Sequence, residues 1–307
     1  MKPLPENAVF SIPAAVAGDL VKATQRLPEY AAHEYYDPEI QQHVYNVIRQ
    51  ACSEEFDELI VKLRLQIKKP PFSLLIKGLE FDSHHRLLIA LNRAFGLLVA
   101  RPHEKNTPRA QLIHQIVPGT DKDDAKDDAK AGNAQRAKVS ERFHVDGADR
   151  PSGLHYVSMQ CVHAHEDHSQ GRSRLLDSKG FRETLQDGAI NQSVINRLET
   201  QRVPWKTPAY LGGGVCWAPV LQGDCIRWNR DIINEALKEK DITISSSMVD
   251  TLDHIDRLLA EKTPHIFDFR LEPGDFLMMD NRRCLHTRSS INNPESTRRL
   301  MLRAWVE

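Results

Sequence analysis

No apolar stretch in this 307-residue chain is long enough to span a bilayer, so no segment reads as a transmembrane helix. Internal repeats and coiled-coil heptads are missing as well, which excludes solenoids and fibrous assemblies. Charge of one sign is not in excess: 41 Lys and Arg stand against 42 Asp and Glu. Such a balance points to neither nucleic acid nor a membrane surface as partner. Cysteine is sparse; the five residues, Cys52, Cys161, Cys216, Cys225 and Cys284, are odd in number and show no Cys-x-x-Cys spacing. They read as reduced thiols of a cytoplasmic protein. Lys2 and the apolar run from Ala8 to Ala17 mimic a short signal peptide, but Pro3, Pro5, Glu6 and Pro13 interrupt it. The length allows a sizeable core, organised as one domain with insertions rather than as two domains.

Hydrophobic periodicity places the elements. Ile40, Val44, Val47, Ile48, Ala51, Phe56, Leu59, Ile60 and Leu63 recur at helical spacing, predicting one or two helices over 38–64. Pro70-Pro71 ends that span, and 72–79 (FSLLIKGL) reads as a buried strand leading into an amphipathic helix over 83–100. A strand is expected over 112–117. The stretch 119–138 is the low-complexity part, with five aspartates and three lysines between Asp121 and Lys130. Such a segment cannot bury a core and is expected to be a mobile surface insertion; its nearness to His144 raises the alternative of a lid. Alternation over 153–164 predicts a central strand, 177–197 a helix, 203–220 Gly/Pro-rich loop and strand, 225–230 a strand, and 247–261 an amphipathic helix.

Chemistry concentrates near the C-terminus. Glu272-Pro273-Gly274-Asp275 is a turn signature, followed by a short apolar strand from Phe276 to Met279 and then by His286. Between His286 and the next strand lie Ser289, Ser290, Asn292, Asn293 and Pro294, a loop composition. Period-two alternation then puts Arg299, Met301 and Arg303 on one face and Arg298, Leu300 and Leu302 on the other. If the first face lines an interior, two guanidinium groups point into it and call for an anionic ligand. Upstream, Glu141-Arg142-Phe143-His144-Val145-Asp146-Gly147 offers His144 and Asp146 two residues apart, on the same face of an extended segment. Two histidines and one carboxylate on one side of a metal leave its other positions open, the arrangement of non-haem Fe(II) oxygenases. The signal lies in the ordered set: His144-x-Asp146, then His286, then Arg299 thirteen residues on.

Three histidines in six residues, His163, His165 and His168, form a rival cluster. A zinc site there needs His168 to fold back and lacks a fourth ligand, so a solvated strand end running into the turn at Gly171 is the preferred reading. Arg227 and Arg230 could meet an acidic substrate, though pairing with acidic neighbours is preferred.

With these residues in place, the chain resembles the Fe(II)/2-oxoglutarate dioxygenases of the taurine dioxygenase and clavaminate synthase type. The resemblance is specific over 140–178 and 268–307, where Asp280-Asn281-Arg282 precedes His286 as in the family. It implies that His144, Asp146 and His286 hold Fe(II), and that Arg299 takes the distal carboxylate of 2-oxoglutarate. Ser173, in Gln170-Gly171-Arg172-Ser173, is the match to a Thr that adds a hydroxyl to that carboxylate; one Gly of the family's turn is lost. Arg303 would touch the cosubstrate or an acidic group of the substrate. The implied fold is α+β with a mainly β core, a double-stranded β-helix (jelly-roll) with flanking helices. One catalytic domain over 1–307 would comprise N-terminal helices and strands (1–110), the insertion (119–138) and the jelly-roll core (139–307). The implied reaction hydroxylates or desaturates an unactivated C–H of a small, amino-acid-like or acidic substrate, using O2 and releasing succinate and CO2. Relatives that halogenate have a small residue in place of the carboxylate, so Asp146 favours hydroxylation, desaturation or ring closure. A zinc-dependent enzyme on the same fold, which has no need for an inward Arg299, and a non-catalytic binding barrel, which can retain the ligands without turnover, are the alternatives.

Overall fold

The computed structural model describes residues 1–82, 84–100, 112–118, 142–187, 192–261, 263–292, 294 and 297–307. The expected insertion at 119–138 lies outside the described residues. Alternating side chains on two facing sheets produce the architecture. The larger sheet has the order β1 (Val9–Ser11), β2 (Ser73–Lys77), β12 (Phe276–Asp280), β5 (Tyr156–His163), β14 (Leu300–Val306) and β3 (Leu98–Val99). A further strand, β4 (Ile113–Ile116), also pairs with β14. The smaller sheet has the order β11 (Phe267–Phe269), β6 (Ser173–Asp177) and β13 (Cys284–Arg288).

Each sheet is apolar on both faces because each is covered on both. Leu75, Val157, Cys161, Leu277, Met301 and Trp305 from the larger sheet meet Leu175, Phe267, Phe269 and Cys284 from the smaller one in a shared interior. The opposite face of the larger sheet, carrying Leu74, Ile76, Phe276, Met278, Leu302 and Val306, packs on the N-terminal helices. Those are α1 (Ala14–Thr24), α2 (Pro38–Ala51), α3 (Ser53–Gln66) and α4 (Arg86–Arg93). The outer face of the smaller sheet, with Leu176 and Leu285, packs against α5 (Ser178–Asp187), α6 (Gln192–Thr200), α7 (Arg230–Leu237) and α8 (Ser246–Ala260). Strand β12 is buried along its whole length, as expected for a central strand with layers on either side. A hairpin of β7 (Val203–Lys206) and β8 (Val215–Ala218) joins this second helical layer through the buried Trp205. No helix among the described residues is long and apolar enough to cross a membrane.

The structure corrects two expected spans and settles a third as two helices. The helix expected over 83–100 is confined to α4, because the Asp82 carboxylate accepts from the backbone N of Arg86 at 2.8 Å and Leu87 at 2.9 Å and so fixes its start. Its far end gives way to β3, where Leu98 pairs with Val306. The strand expected over 225–230 is only the short β10 (Cys225–Ile226), paired with β9 (Leu221–Gln222). Asn229 then caps α7, its side chain accepting from Ile232 N at 3.4 Å. The region 38–64 holds two helices, α2 and α3, broken at Cys52 (φ −132°, ψ 44°).

Candidate metal centre

Backbone pairing brings the two histidines together. An isolated antiparallel bridge joins His144 to His286. His144 N donates to His286 O at 3.1 Å, and His286 N to His144 O at 2.9 Å. Residues directly opposite on such a pair share a face, and the imidazole centroids stand 4.5 Å apart. On β13, Leu285 joins the outer helical core while Cys284 faces the interior, so His286, two residues on, faces inward as well. Asp146 follows on the same segment as His144. Its Oδ1 lies 3.7 Å from His144 Nε2 and 3.8 Å from His286 Nε2. The donor atoms of the three residues all fall within 4.8 Å, the one such cluster among the described residues.

Further contacts orient the donors. The Arg142 carbonyl accepts from His144 Nδ1 at 2.9 Å, which places the proton there and leaves the Nε2 lone pair toward Asp146. Asn281 clasps the Asp146 backbone: its Oδ1 accepts from Asp146 N at 2.9 Å and its Nδ2 donates to Asp146 O at 2.8 Å. Arg303 Nη1 lies 3.1 Å from both carboxylate oxygens, and Trp305 Nε1 donates to Oδ2 at 2.9 Å. Burial alone would push the Asp146 carboxyl up, but Arg303, His144 and His286 together outweigh it and hold the group well below the usual carboxylate range. Burial, helped by His144 and Arg303, pushes the His286 imidazole down to about 3. His286 is therefore neutral, and neither ring nitrogen has a hydrogen-bond partner among the described residues. A buried imidazole left so is costly unless something accepts its lone pair. Two imidazoles and an ionised carboxylate fit a first-row divalent metal.

The strand β14 supplies the cationic part of the site, on the predicted face. Met301 and Trp305 enter the interior, and Leu302 and Ala304 the helical side. Arg299 is buried, whereas Arg298 is exposed. No carboxylate among the described residues pairs with the Arg299 guanidinium; its backbone N donates to Thr297 Oγ1 at 3.1 Å. Burial and the nearby Arg288 lower its pKa to about 10. Gly171, at φ +62°, lies against it: a Cβ there would stand 3.0 Å from Arg299 Cδ and Nε. Ser173 is buried on β6 opposite Arg288, two residues from Leu175, which stands opposite His286. Alternation therefore gives Ser173 the same interior face as His286.

The rival histidine cluster does not assemble. His163 is exposed, as expected for a strand end, but His165 is buried, contrary to the expected solvated end. Its Nδ1 accepts from Asp167 N at 3.0 Å, so it braces the turn. Arg230 pairs with Asp253 and Asp256, and Arg227 Nη2 donates to the carbonyls of Arg150 at 3.2 Å and Pro151 at 3.0 Å. Arg230 thus has the acidic neighbours expected of it, whereas Arg227 is tied to backbone carbonyls instead. The contacts of Asn281, Trp305 and Gly171 were not anticipated from sequence. Asn281 and Gly171 were visible within their motifs, but nothing local marks Trp305, whose partner lies 159 residues away.

Comparison with known proteins adds the relatives. The family model described as taurine catabolism dioxygenase TauD, TfdA family matches residues 73–305. No curated protein sequence matches the chain. Among solved structures it is similar to an asparagine oxygenase in complex with Fe(II), 2S,3S-3-hydroxyasparagine and succinate, with TM-score 0.73 and 16% identity over 97% of this chain and 93% of that one. It is also similar to the non-heme iron oxygenase OrfP in complex with Fe, succinate and (3S)-hydroxy-L-Arg, with TM-score 0.69 and 16% identity over 97% and 93%.

Proposed function

Because the chain belongs to the taurine catabolism dioxygenase TauD, TfdA family, we propose that it is a non-haem Fe(II)- and 2-oxoglutarate-dependent dioxygenase acting on an unactivated C–H of a small, amino-acid-like substrate. The two facing sheets would form a double-stranded β-helix, with the whole chain serving as one catalytic domain in the cytoplasm, where 2-oxoglutarate is at hand. His144, Asp146 and His286 would hold the metal. When bound, the iron and 2-oxoglutarate supply an oxidant, as O2 is reduced and the keto acid is cleaved to succinate and CO2.

The chain's own residues position and shield. Asn281 and the His144–His286 bridge fix the donor set, and the Arg142 carbonyl holds His144 in the tautomer that presents Nε2. Arg299 would pair with the distal carboxylate of 2-oxoglutarate, with Ser173 adding a hydroxyl. Arg303 stands against the Asp146 carboxylate, close enough to the donor set to meet an acidic group of cosubstrate or substrate. The observation that carries the reading is Arg299, a buried cation with no carboxylate among the described residues, on the same strand face as the Asp146 contacts. A zinc hydrolytic site has no use for it, and a binding barrel without turnover is separated by the succinate assay below. An amino-acid-like substrate is supported by the bound hydroxyasparagine and hydroxyarginine of the two similar oxygenases.

The test is succinate formation from 2-oxoglutarate in air with added Fe(II), over a panel of free amino acids. Amino-acid-stimulated succinate release with a hydroxylated product is expected. A protein that binds neither Fe(II) nor 2-oxoglutarate would overturn the reading.

A further inference from the structure

We infer that Trp305 is a positioning residue that keeps Asp146 monodentate on the metal by sequestering its second carboxylate oxygen. This rests on the function proposed above. The two oxygens of Asp146 have different surroundings. Oδ1 faces His144 Nε2 at 3.7 Å and His286 Nε2 at 3.8 Å, which makes it the metal-facing oxygen. Oδ2 accepts from Trp305 Nε1 at 2.9 Å. Arg303 cannot make this distinction, because its Nη1 lies 3.1 Å from both oxygens. The indole can, since it has one donor and no acceptor. Its ring is buried at 7% exposure in the interior between the sheets, and the Arg303 guanidinium stands 5.7 Å from the ring centroid. The donor is therefore held in place by packing rather than by a flexible side chain.

The distinction matters because of the number of positions on the ion. Two imidazoles and one carboxylate oxygen would leave open positions on a divalent metal. A chelating keto acid and O2 would need those positions. If Asp146 coordinated through both oxygens, it would compete with the cosubstrate for one of them. The Trp305 hydrogen bond pulls Oδ2 away from that position and so favours cosubstrate over a second carboxylate contact.

The test separates metal binding from cosubstrate binding. Co(II) is titrated into the apo protein, then 2-oxoglutarate into the Co(II)-loaded protein, each followed by visible absorption and calorimetry. The same is done for Trp305→Phe and for the protein carrying benzothienylalanine at position 305, which keeps the indole's shape but lacks the N–H. Both variants should bind Co(II) within about threefold of wild type. Their 2-oxoglutarate dissociation constant should rise about 10- to 100-fold, the change expected when a hydrogen bond to a charged group is lost. The isosteric replacement guards against a Phe variant that merely packs poorly. An unchanged 2-oxoglutarate constant in the isosteric variant would overturn the inference, as would parallel weakening of metal and cosubstrate. A wild-type protein that takes up neither Co(II) nor 2-oxoglutarate would instead overturn the proposed function.

Discussion

Replacing Arg299 by Ala should separate cosubstrate affinity from stability. In the structure this residue is 5% exposed and its guanidinium lacks a carboxylate partner among the described residues, so its burial is a cost that the proposed ligand would offset. Removing one side of a buried charged pair weakens the interaction by about 3 to 5 kcal/mol. At about 1.4 kcal/mol per decade, that raises the 2-oxoglutarate KM by roughly two to three and a half decades. The apo protein should not suffer, because an uncompensated buried cation is removed. Its thermal midpoint should stay level or rise. Arg299→Lys should recover only part of the affinity, since an ammonium cannot form a planar two-pronged contact with a carboxylate. Arg298 is the control: it is exposed, and its backbone N rather than its side chain contacts Glu166 Oε1 at 3.0 Å. Steady-state kinetics of the two alanine variants side by side decide the matter. Equal effects, or a larger one at Arg298, would refute the assignment of Arg299.

Four further outcomes are expected. His144→Ala, Asp146→Ala and His286→Ala should each abolish stoichiometric Fe(II) uptake with the fold intact, whereas His165→Ala should leave it unchanged; metal analysis of purified protein checks both. Asn281→Ala orphans the backbone N and O of Asp146 and should lower stability by about 1 to 3 kcal/mol in urea titrations while weakening metal binding; full metal affinity would mean that the Asp146 segment needs no clasp. Gly171→Ala meets a left-handed backbone at φ +62° and a contact of 3.0 Å with Arg299, so the 2-oxoglutarate KM should rise while Fe(II) affinity holds. Burial raises the Asp256 carboxyl to about 6 despite Arg230 and Arg142. Between pH 4 and 6 the unfolded chain therefore ionises this group while the folded one does not, and stability falls as pH rises through that window. Asp256→Asn should flatten that part of the stability profile, and an unchanged slope in urea midpoints would refute the assignment.

How much of this was legible in the sequence depends on the range of the interaction. His144 and Asp146 could be paired because two residues on an extended segment share a face. Arg299, Met301 and Arg303 could be assigned to one face for the same reason, and the structure keeps Met301 inside and Leu302 on the helical side. The helix over 83–100 was overestimated because its apolar spacing continues past Arg93, while the chain is diverted by pairing of Leu98 with Val306. The strand expected over 225–230 stops at Ile226 because Asn229 caps the helix that follows. Trp305 carries no signal in the sequence, since no local pattern announces a hydrogen bond to Asp146.

The register of β14 ties these pieces together. Its pairing with β5 runs Met301 to Cys161, Arg303 to Met159 and Trp305 to Val157, with an irregularity between Leu300 and Met301. Leu300 stands opposite His163 and Met301 opposite Cys161, so β5 carries the extra residue, Val162, and β14 stays continuous. Arg303 and Trp305 therefore keep the same face and reach the same carboxylate, while Arg299 precedes the irregularity on that side of the strand. A slip of one residue would turn all three outward and place Leu302 and Ala304 inside. Two features oppose the slip: the apolar helical face needs Leu302, Ala304 and Val306, and the interior needs Met301 and Trp305. The packing that stabilises the sheet thus also sets the positions of the residues that would meet metal and cosubstrate, so substitutions of Leu302 that loosen the register should damage cosubstrate binding without touching it. Measuring 2-oxoglutarate affinity in Leu302→Ala against Leu252→Ala, a truncation in the distant helical core, checks this: equal affinity in the two at matched loss of stability would show that register and site are independent.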